Sequence, residues 1–154
     1  GALARHRAAR GAEPDAAWRR SLAEVGMVYG TVPWVWLTML PGSRAGEVSG
    51  AVSLVPLRDL ATMPATQVAG NLLVLAAVGF WAPRRFAALA SLPRVTLLAA
   101  ACSTAIETVQ YAFRLDRVTS IDDVLLNTAG ATLAALASRR GRLPRNRPGR
   151  AIPW

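Results

Sequence analysis

Residues 96–137 contain two apolar runs joined by a short polar link, and both runs carry polar groups where hydrocarbon would be expected. Glu107 interrupts the first run. Asp122 and Asp123 open the second, and Asn127 follows one helical turn later. Ionisable side chains in segments this apolar are costly, so by default they point to a functional site. The rest of the chain then reads as a helical bundle that holds these groups in place.

Four apolar runs supply the bundle: 21–40, 65–83, 95–113 and a shorter one at 122–138. A length near 20 residues is enough to cross a bilayer with some tilt. The 154 residues are 53% hydrophobic with mean hydropathy +0.29, which excludes a disordered chain and suits a small membrane protein. The expected fold is therefore all-α, a polytopic transmembrane bundle of four helices. One membrane domain spans 21–138. Basic tails at 1–20 and 139–154 are expected to be disordered and cytoplasmic. Gly26 and Gly30 give a spacing that lets another helix approach closely. Pro33 is a candidate kink, and Trp34 and Trp36 are candidate interfacial anchors. A secretory signal is the competing reading of the first run, with Arg19 and Arg20 before it and Ser43-Arg44-Ala45 after it. Glu24 at the start of the run favours a span. Residues 41–64 are rich in Pro, Gly and Ser and read as a loop with a short half-buried piece at 52–60.

Charge orients the bundle. All 18 basic residues are Arg and the net charge is +9. They sit in tails and loops without interleaved aromatics, so nucleic-acid binding is not expected. Counting them gives 14 in 1–20, 84–94 and 139–154, against four in 41–64 and 114–121. The positive-inside bias then places both termini in the cytoplasm. Cys102 is the only cysteine and His6 the only histidine, which excludes an intramolecular disulfide and a zinc-type ligand spacing.

With that topology the polar residues converge in the outer half of the bundle. Ser103, Glu107, Gln110 and Arg114 are three or four apart and share one helix face. Asp123 and Asn127 share another, continued by the small residues Gly130 and Ala134. Asn71 lies on the second run at the same depth, and Arg114 and Arg117 are the nearest cations in sequence. Blander readings stand beside this one. Ser120-x-x-Asp123 resembles a capping box, and Asn71, Glu107 and Gln110 can serve as interhelical hydrogen bonds. The chemistry open to Glu107 and Asp123 is general acid and base work. Their oxygens would also suit magnesium or calcium. Nothing in the sequence demands a metal or cofactor, and none is expected.

These residues resemble a family. E-T-V-Q at 107–110, Arg117, and S-I-D-D-V-L-L-N-T-A-G at 120–130 are similar to the VanZ-like membrane proteins. Their pattern is an E-x-x-Q helix, an Arg-containing link and a D-D-x-x-x-N-x-x-G helix. Residues 54–57 and 70–80 resemble the family's upstream segments. Ser53 and Leu57 stand where Asn and Phe are usual, and Ala77 where Pro is usual. The resemblance implies a small four-span protein of the cell envelope, in a family named for low-level teicoplanin resistance.

The expected function is binding of a lipid headgroup, cell-wall precursor or amphiphilic glycopeptide by Asn71, Glu107, Gln110, Arg117, Asp122, Asp123 and Asn127. The alternatives are a membrane enzyme with Glu107 or Asp123 as acid or base, and a structural subunit whose polar groups only join helices.

Overall fold

Proline sets where the longest helix begins. Pro14 takes the first turn of α2 (Pro14–Thr38), where its missing N–H leaves no helical bond unmade. The helix runs on through Pro33. The computed structural model describes residues 1–9, 11, 13–47 and 50–140, so most of the expected C-terminal tail lies outside the described residues. The N-terminal stretch differs from the disordered tail expected at 1–20. Ala2–Ala9 form α1, which folds back on α2. Ala4 is buried there, and Arg7 reaches Ser21 Oγ at 3.1 Å and Glu24 Oε2 at 2.6 Å. The Glu24 carboxylate supplies the anchor that a free basic tail would lack.

The second apolar run is helical but broken. α3 (Ala65–Val74) and α4 (Ala76–Arg85) meet at Leu75, whose φ of −113° and ψ of 7° interrupt the helix. A short 3₁₀ turn at Ala87–Leu89 leads to α5 (Leu92–Ala112), which also starts on a proline, Pro93. α6 (Ile121–Arg140) is the last element among the described residues. The only strands among the described residues are β1 (Ala51–Ser53) and β2 (Val118–Ser120), paired in parallel with Ala51 opposite Val118.

The architecture is thus helical, as expected, but the four-span reading is reached only in part. Among the described residues, Ala65–Arg85 is the one helical stretch long and apolar enough to cross a membrane. Polar residues interrupt the other long helices: Glu24 in α2, Glu107 and Gln110 in α5, and Asp122, Asp123 and Asn127 in α6.

The helices alternate in direction. Gln110 near the end of α5 donates to the Thr38 carbonyl at the end of α2, at 2.9 Å. At the opposite end Arg84 of α4 donates to the Ser138 carbonyl of α6, at 2.9 Å. α6 is central, packed on α3, α4 and α5, while α2 packs on α4. These contacts are close because they are made by small residues. A Cβ on Gly130 would overlap the Leu72 carbonyl, and one on Gly79 the Ala131 carbonyl. The expected Gly26/Gly30 face lies against Trp81 and Ala77 of α4.

Burial is inverted relative to a water-soluble bundle. The interior is mostly small or polar, with Ala17, Ala23, Ala99, Ala131 and Ala135 beside Ser103, Glu107, Gln110, Asp122, Asn127 and Ser138, and with Val74, Leu75 and Val95 as its larger apolar side chains. Large apolar side chains face outward, including Tyr29 at 76%, Leu97 at 72% and Trp36 at 67% exposure. Exposed apolar surface on this scale marks a surface that meets something other than water.

Candidate functional site

The first turn of α6 organises the site. Ser120 stands just before it, and its hydroxyl accepts the Asp122 N–H at 3.2 Å, which is N-capping. In a capping box the acidic residue three positions on would reach back to the Ser120 N–H. Here Glu107 of α5 takes that part, with Oε2 accepting the Ser120 N–H at 3.2 Å. The cap is completed from a neighbouring helix, which frees Asp123 to face elsewhere.

The two adjacent aspartates diverge because successive helical positions are about 100° apart. Asp122 is 1% exposed and accepts three loop N–H groups, from Leu57 at 2.5 Å, Asp59 at 2.9 Å and Leu60 at 3.0 Å. Leu57 has φ 64°, in the left-handed region that costs a side-chain-bearing residue energy. Asp122 therefore pins a strained loop over the end of α6. Asp123 is half-buried and accepts a hydrogen bond from the Asn71 amide, and Gln67 hydrogen-bonds the same carboxylate. Gln67 was not among the sequence candidates. Its signal was the four-residue spacing from Asn71, which puts both amides on one face of α3.

Asp123 and Arg117 both lie near enough to Glu107 for their charges to act on it. The Arg117 guanidinium rests against the Leu40 carbonyl at 3.4 Å and the Leu37 carbonyl at 3.5 Å. The structure thus groups Asn71, Glu107, Arg117 and Asp123 with Gln67. Gln110 and Asn127 are turned to structural partners: Gln110 to Thr38 and Asn127 Nδ2 to Ser103 Oγ at 2.8 Å. Asn127 Oδ1 is buried, and among the described residues it has no hydrogen-bond partner. Ser103, Glu107 and Gln110 do share the buried face of α5. Arg114 does not continue it, because α5 ends at Ala112 and Arg114 has φ 48° in the link.

Beside this group opens a groove of about 410 Å³ between the end of α2 and the start of α3. Trp34, Leu37 and Val74 give it an apolar wall, while Gln67, Asn71 and Arg117 give it a polar edge. Such a site can hold an amphiphile, with the Gln67 and Asn71 amides and the Arg117 guanidinium at its polar edge. Among the described residues no three His, Cys, Asp or Glu side chains group as metal ligands.

Asp59 lies in the loop over the site. The Ser53 hydroxyl beside it and the Ser120 hydroxyl, donating at 2.7 Å, hold its carboxyl below the usual aspartate range. Its contribution to stability is complete above the ordinary value near 3.9 and is lost as the pH falls through the lowered one. An NMR titration should place its midpoint below that value, and Ser120→Ala should move it back up. An unchanged midpoint in the variant would dissociate Asp59 from the cap.

The family model described as VanZ/LLP1 matches residues 27–141. The match takes in the C-terminal part of α2 and everything from the loop at 41–64 to the end of α6, and so every residue named in the groove and its carboxylate group. No curated protein and no solved structure matches the chain.

Proposed function

The chain belongs to the VanZ/LLP1 family, and from that premise we propose that it is a multi-pass membrane protein of the bacterial cell envelope with both termini in the cytoplasm. In this reading the groove between α2 and α3 takes the polar end of an amphiphile: a lipid headgroup, a lipid-linked cell-wall precursor or a glycopeptide such as teicoplanin. The inverted burial supports the membrane placement, since lipid replaces water as the solvent for the outward Leu, Val, Tyr and Trp side chains. The gathering of Arg19, Arg20, Arg84, Arg85 and Arg139 at the opposite end from the groove supports the orientation.

The observation that carries the ligand class is the groove's lining, apolar on the α2 side and polar along Gln67, Asn71 and Arg117. Binding sites of this kind combine apolar walls with a few placed polar groups. Asn71→Ala and Asp123→Asn are each expected to weaken binding about tenfold, the loss of one charge-assisted hydrogen bond. The check is binding of teicoplanin and of a lipid-linked disaccharide-peptide to the purified protein in nanodiscs. Teicoplanin susceptibility of a bacterium expressing each variant is followed in parallel. Unchanged affinity and susceptibility in both variants, at normal accumulation, would sink this reading.

A second reading, an enzyme, is favoured by one observation: two carboxylates, Glu107 and Asp123, act on each other beside an open groove. Paired carboxylates of this kind can divide acid and base roles. Turnover of the labelled lipid-linked substrate, abolished in Glu107→Gln, would establish it in place of simple binding.

A further inference from the structure

Glycine inside a helix costs stability relative to alanine, and in most of these helices a close contact explains it. A Cβ on Gly26 would overlap the Trp81 ring and one on Gly30 the Ala77 side chain. On Gly79 and Gly130 it would overlap the Ala131 and Leu72 carbonyls. Gly70 of α3 is different. A Cβ there would meet nothing within 4 Å, so among the described residues no neighbour requires the side chain to be absent.

The open space belongs to the groove between α2 and α3. Gly70 lines it together with Thr66, Gln67, Asn71 and Val74 of the same helix. These positions are three or four apart and form one face of α3, so a side chain at position 70 would project from the face that walls the groove. Gly70 also lies between Gln67 and Asn71, whose amides form the polar edge. The room it leaves is therefore at the polar end of the groove. The volume of about 410 Å³ falls near the lower limit of pockets that enclose a small ligand. It suits one bulky polar unit and is too small for a whole glycopeptide.

We propose that Gly70 is the specificity-determining position of the groove. Its bare backbone admits a headgroup bulkier than glycerol phosphate, such as the sugar unit of a lipid-linked saccharide, and any side chain there excludes it. The proposal rests on the groove being the ligand site and adds which headgroups it accepts. It also explains why α3 keeps a glycine that its own packing does not need.

The test is native mass spectrometry of the purified full chain with two probes, a lipid-linked disaccharide-peptide and phosphatidylglycerol. Gly70→Leu is expected to weaken retention of the disaccharide-peptide lipid about tenfold, the effect of overfilling a packed contact. Gly70→Ala should weaken it about threefold. Retention of phosphatidylglycerol should stay as in the unmodified chain. Both variants are better helix formers than glycine, and thermal unfolding verifies that they fold. Ala69→Leu is the control for added bulk, because Ala69 is exposed and lies about 100° round the helix from Gly70; it should bind both probes normally. Normal binding by Gly70→Leu, with binding by Asn71→Ala weakened, would overturn the role of Gly70 and leave the groove standing. Equal loss of both probes in Gly70→Leu, or equal loss in Ala69→Leu, would overturn size selection. A change of oligomeric mass in Gly70→Leu would do the same by assigning the glycine to a contact between copies. Absence of binding by the unmodified chain would overturn both the groove and the role of Gly70.

Discussion

Gly130→Val is expected to leave almost no folded protein. A Cβ at this position falls on the Leu72 carbonyl oxygen, a backbone atom of α3 that cannot swing aside as a flexible side chain could. Relief requires α6 to move from α3. α6 also packs on α4 and α5, and Gly79 of α4 meets it at the Ala131 carbonyl in an equally close contact. Overpacking of a rigid contact costs about 1–3 kcal/mol, and more where several helices must shift together. A small domain has only about 5–15 kcal/mol to lose. Thermal unfolding in detergent should show a large fall in Tm for Gly130→Ala and no recoverable folded fraction for Gly130→Val. Gly70→Ala is the control. A Cβ there meets nothing within 4 Å, so it should gain up to about 1 kcal/mol from helix propensity. Equal melting of Gly130→Ala and the unmodified chain would refute the contact.

The second large effect is expected at Asp122. Its carboxylate holds three N–H groups of the loop at 57–60, and hydrogen bonds to a charged group are each worth about 1.5–3 kcal/mol. The N–H groups regain water when the loop lifts, so the net cost of Asp122→Ala is about 3 kcal/mol rather than the sum. Leu57, held at φ 64° by this contact, should relax out of the left-handed region once released. Hydrogen exchange should then accelerate at the amides of Leu57, Asp59 and Leu60 while the middle of α6 stays protected. Asp122→Asn, which keeps an acceptor oxygen without the charge, should fall between the two. Persistent protection of those amides in Asp122→Ala would show that the loop is held by something else.

Helix positions were legible because apolar runs of this length have few other folds, and the shared face of Ser103, Glu107 and Gln110 followed from spacing alone. What spacing could not supply was the partner of each polar group. Asp122 and Asp123 are chemically alike and adjacent, yet one holds a loop and the other an amide pair on α3. The break at Leu75 carries no glycine or proline to signal it. Residues 51–53 and 118–120 are too short and too far apart in sequence to predict as paired strands. The spacing that puts Arg114 on the α5 face holds only if the helix continues past Ala112, where the chain instead turns through positive φ values at Arg114 and Asp116. Gln67 carries little signal in the sequence, since an amide at the start of an apolar run looks like ordinary solvation.

The cap on α6 bears on the order of assembly. Glu107 and Asp59, which meet Ser120 through its N–H and its hydroxyl, both precede α6 in the chain. A ribosome therefore finishes the acceptors before it makes the helix that needs them. When residue 120 emerges its anchors are already waiting, and the last helix can lock onto a site prepared for it.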